Sequence, residues 1–515
     1  MTPRAPLLAD PYAEGLALSR AGRHVEAIAR FEKALAADPQ DSRVLFALGN
    51  TARLLDMAAP AEEFFRRVLE LEPGRIEAIV NLANLLRARG EPKAAEALLA
   101  PALARAPEIP ELWLALGSAY REMDEKAEAE RHWREALARR PYYAAALGNL
   151  ADLLADLGEV DEALLLYDRV IKSDGKNAQA RLNRAVLHLL KGNLKEGWRD
   201  YAARLKVPGK TPACDHRLRA WAGLPMQKTR LLVTAEQGVG DQLMFASMIP
   251  DLAVRAAETG SSVILECEKR LQALFARSFP AVRVMASDMV KTGGNVTARY
   301  GWLKGIGGAN AAVEMGSLPR WLRGDHAAFP KPHSFLVPDA EEASRWKNWL
   351  ATQGNGPFIG ICWRSGKSGG LRNLQYAPLE AWAEFLACLP GQVVSAQYDA
   401  SDVEIATLEK ISGRTILVPQ NLDQKQELDR SAAMLSALDA VVSAPPAVSW
   451  LAAGTGVPTF KVLYDTSWTS SGQECEPFAP ACRCIMPNKP GNWADAFARA
   501  LSCLNERLAA PQAPG

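Results

Sequence analysis

Two carboxylates and a pair of glycines stand together at Glu236-Gln-Gly-Val-Gly-Asp241, directly after the apolar run 229–235. Such a run followed by a glycine turn reads as a buried strand feeding a helix, with Asp241 at the helix start and facing a cleft. The turn is not a full G-x-G-x-x-G, so it says little for a dinucleotide. Gly238 and Gly240 permit positive φ and close approach of a ligand. Two roles fit Asp241 by type and place: first a helix cap that accepts a free backbone N–H, and second a general base that takes the proton of an attacking hydroxyl. Glu236, five residues earlier at the strand end, is the reserve candidate for the base.

A second group of residues suits a phosphate. The Pro445-Pro446 turn leads into a helix whose first free amides belong to Ala447, Val448 and Ser449, and a helix N-terminus attracts anions. Arg364, Ser365 and Lys367 follow the strand 358–363, and Lys425 follows a strand ending at Val418, all placed to reach the same cleft. Any one of these cations also reads as solvated loop charge. There is no D-x-D or acidic cluster suited to Mg²⁺, so cations and helix amides are expected to stabilise developing charge without metal or cofactor. The six histidines show no metal or triad spacing, and Cys475, Cys482 and Cys484 have neither a neighbouring His nor a C-x-x-C.

The elements that position these groups are those of two Rossmann-like halves. After a linker at 207–228, rich in Pro and Gly, strands are expected at 229–235, 262–267 and 282–285, with helices at 242–258 and from Arg270. The pattern restarts after Pro338. Strands are expected at 358–363, 392–396, 415–418, 440–443 and 459–463, with helices ending at 351 and spanning 379–388, 428–437 and 493–508. Domains at 229–337 and 338–508 would face each other across a cleft at the carboxyl ends of their strands.

Residues 10–206 follow a different rule. Pro39, Pro73, Pro107 and Pro141 recur every 34 residues, as do Ala27, Ala61, Ala95, Ala129 and Ala163. A bulky residue follows each alanine by four: Phe31, Phe65, Leu99, Trp133 and Tyr167. Trp113, Leu116, Gly117 and Tyr120 complete the tetratricopeptide-repeat signature, two antiparallel helices per unit. Small residues let helices approach, the large one fills the hole, and Pro ends the second helix. A sixth, degenerate unit through Asn183, Gly192 and Gly197–Tyr201 is expected to dock onto the following domain. Asn50, Asn81, Asn84, Asn149 and Asn183 line the first helices and form a possible carboxamide ladder for an extended acceptor protein. They also suit simple local hydrogen bonding.

Composition narrows the partners. A formal net charge of +1 recruits neither nucleic acid nor an anionic membrane. The start has no apolar segment of the signal-peptide kind, and eight scattered cysteines read as reduced thiols, so a cytoplasmic location is expected. The uncharged stretch 440–460 is long enough to span a bilayer, but Pro445, Pro446, Gly454, Gly456 and Pro458 interrupt it. No membrane span is expected.

The run 232–246 resembles the opening of the catalytic part in bacterial tetratricopeptide-repeat glycosyltransferases, relatives of the lipopolysaccharide heptosyltransferases with the GT-B fold. The resemblance continues through Trp198, Ile359–Gly366, Val394–Asp399, Asn421–Lys425, Leu438–Ser443 and Ala447–Pro458, and with the repeats it covers almost the whole chain. It is nearest to the alphaproteobacterial flagellin glycosyltransferases. The resemblance implies an inverting, metal-independent O-glycosyltransferase whose repeats hold flagellin. The transferred sugar would be a nonulosonic acid of the pseudaminic type, moved from a nucleotide donor to Ser or Thr. It places the base on Asp241; the donor pocket expected from the residues themselves is Arg364, Ser365, Lys367, Lys425 and Ala447–Ser449. One departure stands out: relatives carry Asp-Thr where this chain has Pro445-Pro446, and His where it has Trp450. That loss is consistent with a cytidine nucleotide, and also with a non-catalytic adaptor on a degenerate GT-B scaffold. A transferase acting on a lipid-linked saccharide is the third reading.

Overall fold

The computed structural model describes residues 10–509 except 224, 294, 330–333 and 367–374; Lys367 therefore lies outside the described residues. Contacts divide the chain into two compact units, 1–180 and 181–515.

The first unit is a stack of helix pairs, beginning with Pro11–Arg20 and His24–Ala37 and reaching Ala144–Asp156 and Val160–Ser173. The 34-residue lattice acts through packing. Ala27, Ala61, Ala95, Ala129 and Ala163 are all fully buried. The partner position on the first helix is glycine opposite Phe31, Phe65 and Trp133. A Cβ on Gly15 would lie 2.5 Å from Phe31, one on Gly49 2.7 Å from Phe65, and one on Gly117 2.7 Å from Trp133. Opposite the smaller Leu99, and again opposite Tyr167, the position is alanine, Ala83 and Ala151. Each second helix stops two residues before its lattice proline, at Ala37, Leu71, Arg105 and Arg139. The residue between leaves the helical region, as the proline ring demands of its predecessor: Asp38 and Arg140 are extended, and Glu72 and Ala106 have ψ of 77° and 65°. Gly117→Ala is expected to lower stability by about 1–3 kcal/mol, because the added methyl must displace the Trp133 indole. Chemical denaturation of wild type and variant measures it.

The second unit opens with the helices Ala178–Leu190 and Leu194–Tyr201 and a 3₁₀ turn, Ala202–Lys206. This sixth pair docks as expected. Trp198 is buried in an aromatic cluster with Phe245, Trp468 and Phe478, at centroid separations of 6.4, 6.2 and 5.9 Å. Beyond it lie the two parallel sheets of an α/β fold. The first has five strands in the order Arg219–Ala220, Ala311–Glu314, Arg230–Thr234, Ser262–Cys267, Arg283–Ala286. The second has six: Ile416–Leu417, Gln392–Ser395, Phe358–Cys362, Ala440–Ser443, Thr459–Val462, Cys482–Ile485. All pairings within both sheets are parallel.

Three differences from the sequence-based expectation have physical causes. The helix expected at 242–258 is two helices, Val239–Ala246 and Ile249–Ala257, because Pro250 fits only in a first turn. Helix Asp402–Ser412 was not expected, although Ser401 and Glu404 form a capping box that marks its start. Strand Ala311–Glu314 was also unforeseen; it is short and enters the first sheet from a distant part of the chain. Among the described residues no helix is long and apolar enough to cross a membrane.

Candidate functional site

A cavity of about 520 Å³ opens where the carboxyl ends of the two sheets meet. From the first sheet come the turn Gln237–Gly240 and, after the second strand, Glu268 and Arg270. The second sheet contributes Ser365, Tyr398, Gln424, Lys425, Ala447 and Val448. This is where an open parallel sheet binds ligands, since strand ends leave loops and helix N-termini converging on one side.

Gly238 caps helix Val239–Ala246, and Asp241 is its third residue, partly buried. Neither Gly238 nor Gly240 has positive φ, contrary to the expected use of these glycines. Gly240 instead packs on the next sheet's helix: a Cβ there would lie 3.7 Å from the Ala447 backbone and 3.8 Å from Trp450. The Asp241 carboxylate reaches back to the Gly238 amide, which lowers its pKa, but burial and the neighbouring charge of Glu236 outweigh this. The net result is a carboxyl pushed up to about 6. Such a group is ionised at neutral pH and still basic enough to accept a proton. Its contact with Gly238 is half of a capping box, so local support of the helix and proton transfer are compatible.

Glu236 is enclosed. Arg204 donates to its Oε1 from Nη2 at 2.6 Å and Nε at 3.2 Å, and the Gly316 amide donates to the same oxygen at 3.2 Å. Burial raises the Glu236 carboxyl, with Arg204 opposing. Arg204 and Tyr201, both absent from the sequence reading of the site, arrive from the sixth helix pair. Tyr201 continues the repeat lattice from Tyr167 by 34 residues. Its hydroxyl accepts from Gln237 Nε2 at 2.9 Å, and burial together with the Asp241 charge raises its pKa.

The donor-side residues divide. Ala447 and Val448 line the cavity, but Ser449 is fully buried and turns both its amide and its hydroxyl to the Pro446 carbonyl, at 3.2 and 2.8 Å. Ser365 lines the cavity near the Tyr398 hydroxyl, at 3.2 Å. Lys425 lines it too, while its carbonyl accepts from Arg270 at 2.6 Å. Arg364 does not: Glu404 takes its Nε at 2.6 Å and Nη2 at 2.7 Å, and Asp399 takes Nη1 at 2.9 Å. That pairing raises the guanidinium further and holds Glu404 down at about 2. Arg364 is thus a strut for the loop after Cys362. Gln397 completes the strut by accepting from the amides of Trp363 and Arg364, each at 3.0 Å.

Trp450, standing where the resemblance expects His, has a partner of its own. The Lys461 ammonium lies 4.5 Å from its ring centroid. No group of His, Cys, Asp and Glu suited to a metal ion occurs among the described residues.

The asparagines bond locally. Asn81 donates to Asn50 at 2.9 Å, Asn84 accepts from Arg87 at 2.9 Å, and Asn149 donates to Ser118 at 3.3 Å. Asn183 falls in the second unit, apart from the others. Long-range pairs such as Arg204–Glu236 carry no sequence periodicity, which is why the motif search could not find them.

Known family patterns agree with the helix pairs of the first unit. The tetratricopeptide-repeat family pattern matches residues 57–119, and again residues 12–76, 114–178 and 149–210. Protein FlbA of Caulobacter vibrioides is 32% identical over 497 residues, which is 95% of this chain and 83% of FlbA. "Probable biofilm formation methyltransferase WspC" of Pseudomonas aeruginosa is 39% identical over only 87 residues, 16% of this chain and 21% of WspC. Among solved structures, a thermophilic tetratricopeptide-repeat protein of Thermus thermophilus is 27% identical with a TM-score of 0.32, covering 35% of this chain and 97% of its own. PilW, a type IV pilus biogenesis factor, is 21% identical with a TM-score of 0.36, covering 39% of this chain and 94% of its own.

Proposed function

The chain belongs to the family of Protein FlbA, and from that premise we propose that it is a protein O-glycosyltransferase. It moves a sugar, a nonulosonic acid of the pseudaminic type, from a cytidine nucleotide to Ser or Thr of flagellin held by the repeats. The observation that carries the reading is the cavity between two parallel sheets, lined by the turn Gln237–Gly240 and by Gln242; Asp241, between them in sequence, lies behind this lining with its carboxyl pushed up to about 6. In the proposed step the acceptor oxygen attacks the anomeric carbon as Asp241 takes its proton. The bond to the donor phosphate breaks on the opposite face, and configuration inverts. The leaving phosphate receives charge stabilisation from Lys425 and from the free amides of Ala447 and Val448. A cytidine nucleotide is consistent with Pro445-Pro446 and Trp450, which replace side chains that relatives of the resembled family use for other nucleotides.

Melting the purified full chain with CMP, UDP, ADP or GDP is expected to single out CMP. At a hundred-fold excess over Kd a ligand stabilises by about 2.7 kcal/mol. Flagellin incubated with the chain and a CMP-nonulosonate is expected to gain whole sugar masses, with EDTA making no difference. If no nucleotide shifts melting and no mass is added, the α/β part is a scaffold and the chain an adaptor.

A further inference from the structure

The last turn of the helical segment sits inside the α/β part. Arg204, only 3% exposed, lies in the 3₁₀ turn Ala202–Lys206. Besides its two bonds to Glu236, its Nη2 donates to Ser317 Oγ at 3.0 Å and its Nη1 to the Tyr201 carbonyl at 3.3 Å. The guanidinium carbon is 4.8 Å from the Tyr201 ring centroid. Space for this arrangement depends on Gly316. A Cβ there would lie 2.4 Å from Gln237 Oε1, 2.7 Å from Glu236 Oε1 and 3.0 Å from Arg204 Nη2. Glu236 Oε2 is buried without a hydrogen-bond partner among the described residues.

We infer that Arg204 is a positioning residue of the proposed transferase: it clamps Glu236 as a fixed anion beside Asp241. This rests on the transferase reading and extends it. A carboxylate this deep would ordinarily be neutral. The rigid guanidinium fork and the Gly316 amide on one oxygen orient it and favour its charged form against burial, while the other oxygen has no partner among the described residues. The charged side chains acting on Asp241 are Glu236 and Arg204; Asp241 in turn acts on Tyr201, and Glu314, on strand Ala311–Glu314, acts on Glu236. Helix Ala447–Gly454, packed on the other side, has no ionisable side chain. Glu236 opposes ionisation of Asp241 and Arg204 favours it. Glu236→Gln therefore lowers Asp241, whereas Arg204→Gln lets the buried Glu236 take up a proton, so that both influences on Asp241 vanish together, a signature that simple loss of packing does not produce.

The test uses full-length wild type, Glu236→Gln, Arg204→Gln and Arg204→Lys. One readout is the acid limb of the pH–rate profile for sugar transfer. The other needs no activity: the change in melting temperature caused by Asp241→Asn, followed against pH in each background. Expected are a midpoint lowered by about one pH unit in Glu236→Gln, a smaller shift in Arg204→Gln, where both charges are lost together, and one close to wild type in Arg204→Lys. An active enzyme whose midpoint stays put in Glu236→Gln, or moves as far in Arg204→Gln as in Glu236→Gln, overturns the inference and leaves the transferase standing. A midpoint lowered only in Glu236→Gln, without transfer in any variant, upholds the clamp and removes the transferase reading. If Arg204→Gln does not fold, an unmoved midpoint in Glu236→Gln is enough to overturn the clamp.

Discussion

Asp241→Asn is expected to leave flagellin unglycosylated while making the protein more stable at neutral pH. General-base assistance is worth about 10²–10⁴-fold in rate, and an amide cannot supply it. The stability gain follows from the same environment. Burial and Glu236 raise the folded carboxyl to about 6 from an ordinary 3.8. The folded state then binds the proton more tightly than the unfolded chain between those values, so stability falls as pH rises from about 4 to about 6. Above that window the wild type carries a charge penalty on the order of 3 kcal/mol, which the neutral amide lacks. Melting curves of the two proteins should separate above pH 6 in favour of the variant and converge towards pH 4. Intact-mass measurement of the acceptor gives the activity. A fully active variant would move the base to Glu236, with Glu236→Gln as the next substitution.

Lys461→Met is expected to cost about 3–5 kcal/mol, the usual loss when one partner of a buried ion pair is removed. Lys461 ends on the strand Thr459–Val462 at 2% exposure and donates to Glu476, which is fully buried. Thr469 also donates to Glu476 Oε1, at 2.7 Å, and the Trp450 ring covers the ammonium. Burial alone would lower the lysine pKa, but Glu476 overcomes that and keeps it raised. Without the lysine, the carboxylate loses its counter-charge in a site closed to water. Lys461→Met with Glu476→Leu should recover most of the stability, since apolar residues of similar volume replace such pairs well. Denaturant titration of both variants measures the difference. A single variant as stable as wild type would overturn the assignment of this pair as a stabilising buried ion pair.

Both substitutions act on groups whose environment no sequence pattern describes, and the contrast with the repeats shows why. The alanine and proline lattice of the first unit was readable because each repeat packs on its immediate neighbours, so the spacing of small, large and breaking residues is the structure. The buried strands and the position of Asp241 at a helix start were readable for a similar reason, as local apolar runs ending in a glycine turn. The Ser401–Glu404 capping box was also on the page, though only a search for it would have found helix Asp402–Ser412. Other features were decided by tertiary structure alone. Arg364 looked like a free phosphate-binding cation until the fold brought Asp399 and Glu404 to it. Ser449 looked like a free amide until the helix turned it onto Pro446. Arg204 gave no signal at all, because its partner Glu236 lies 32 residues away on another element. A charge taken out of water must find a counter-charge, so the sequence of this protein required such partners to exist. Which residues they are depends on chain crossings that bring distant segments together, and local spacing carries no record of those.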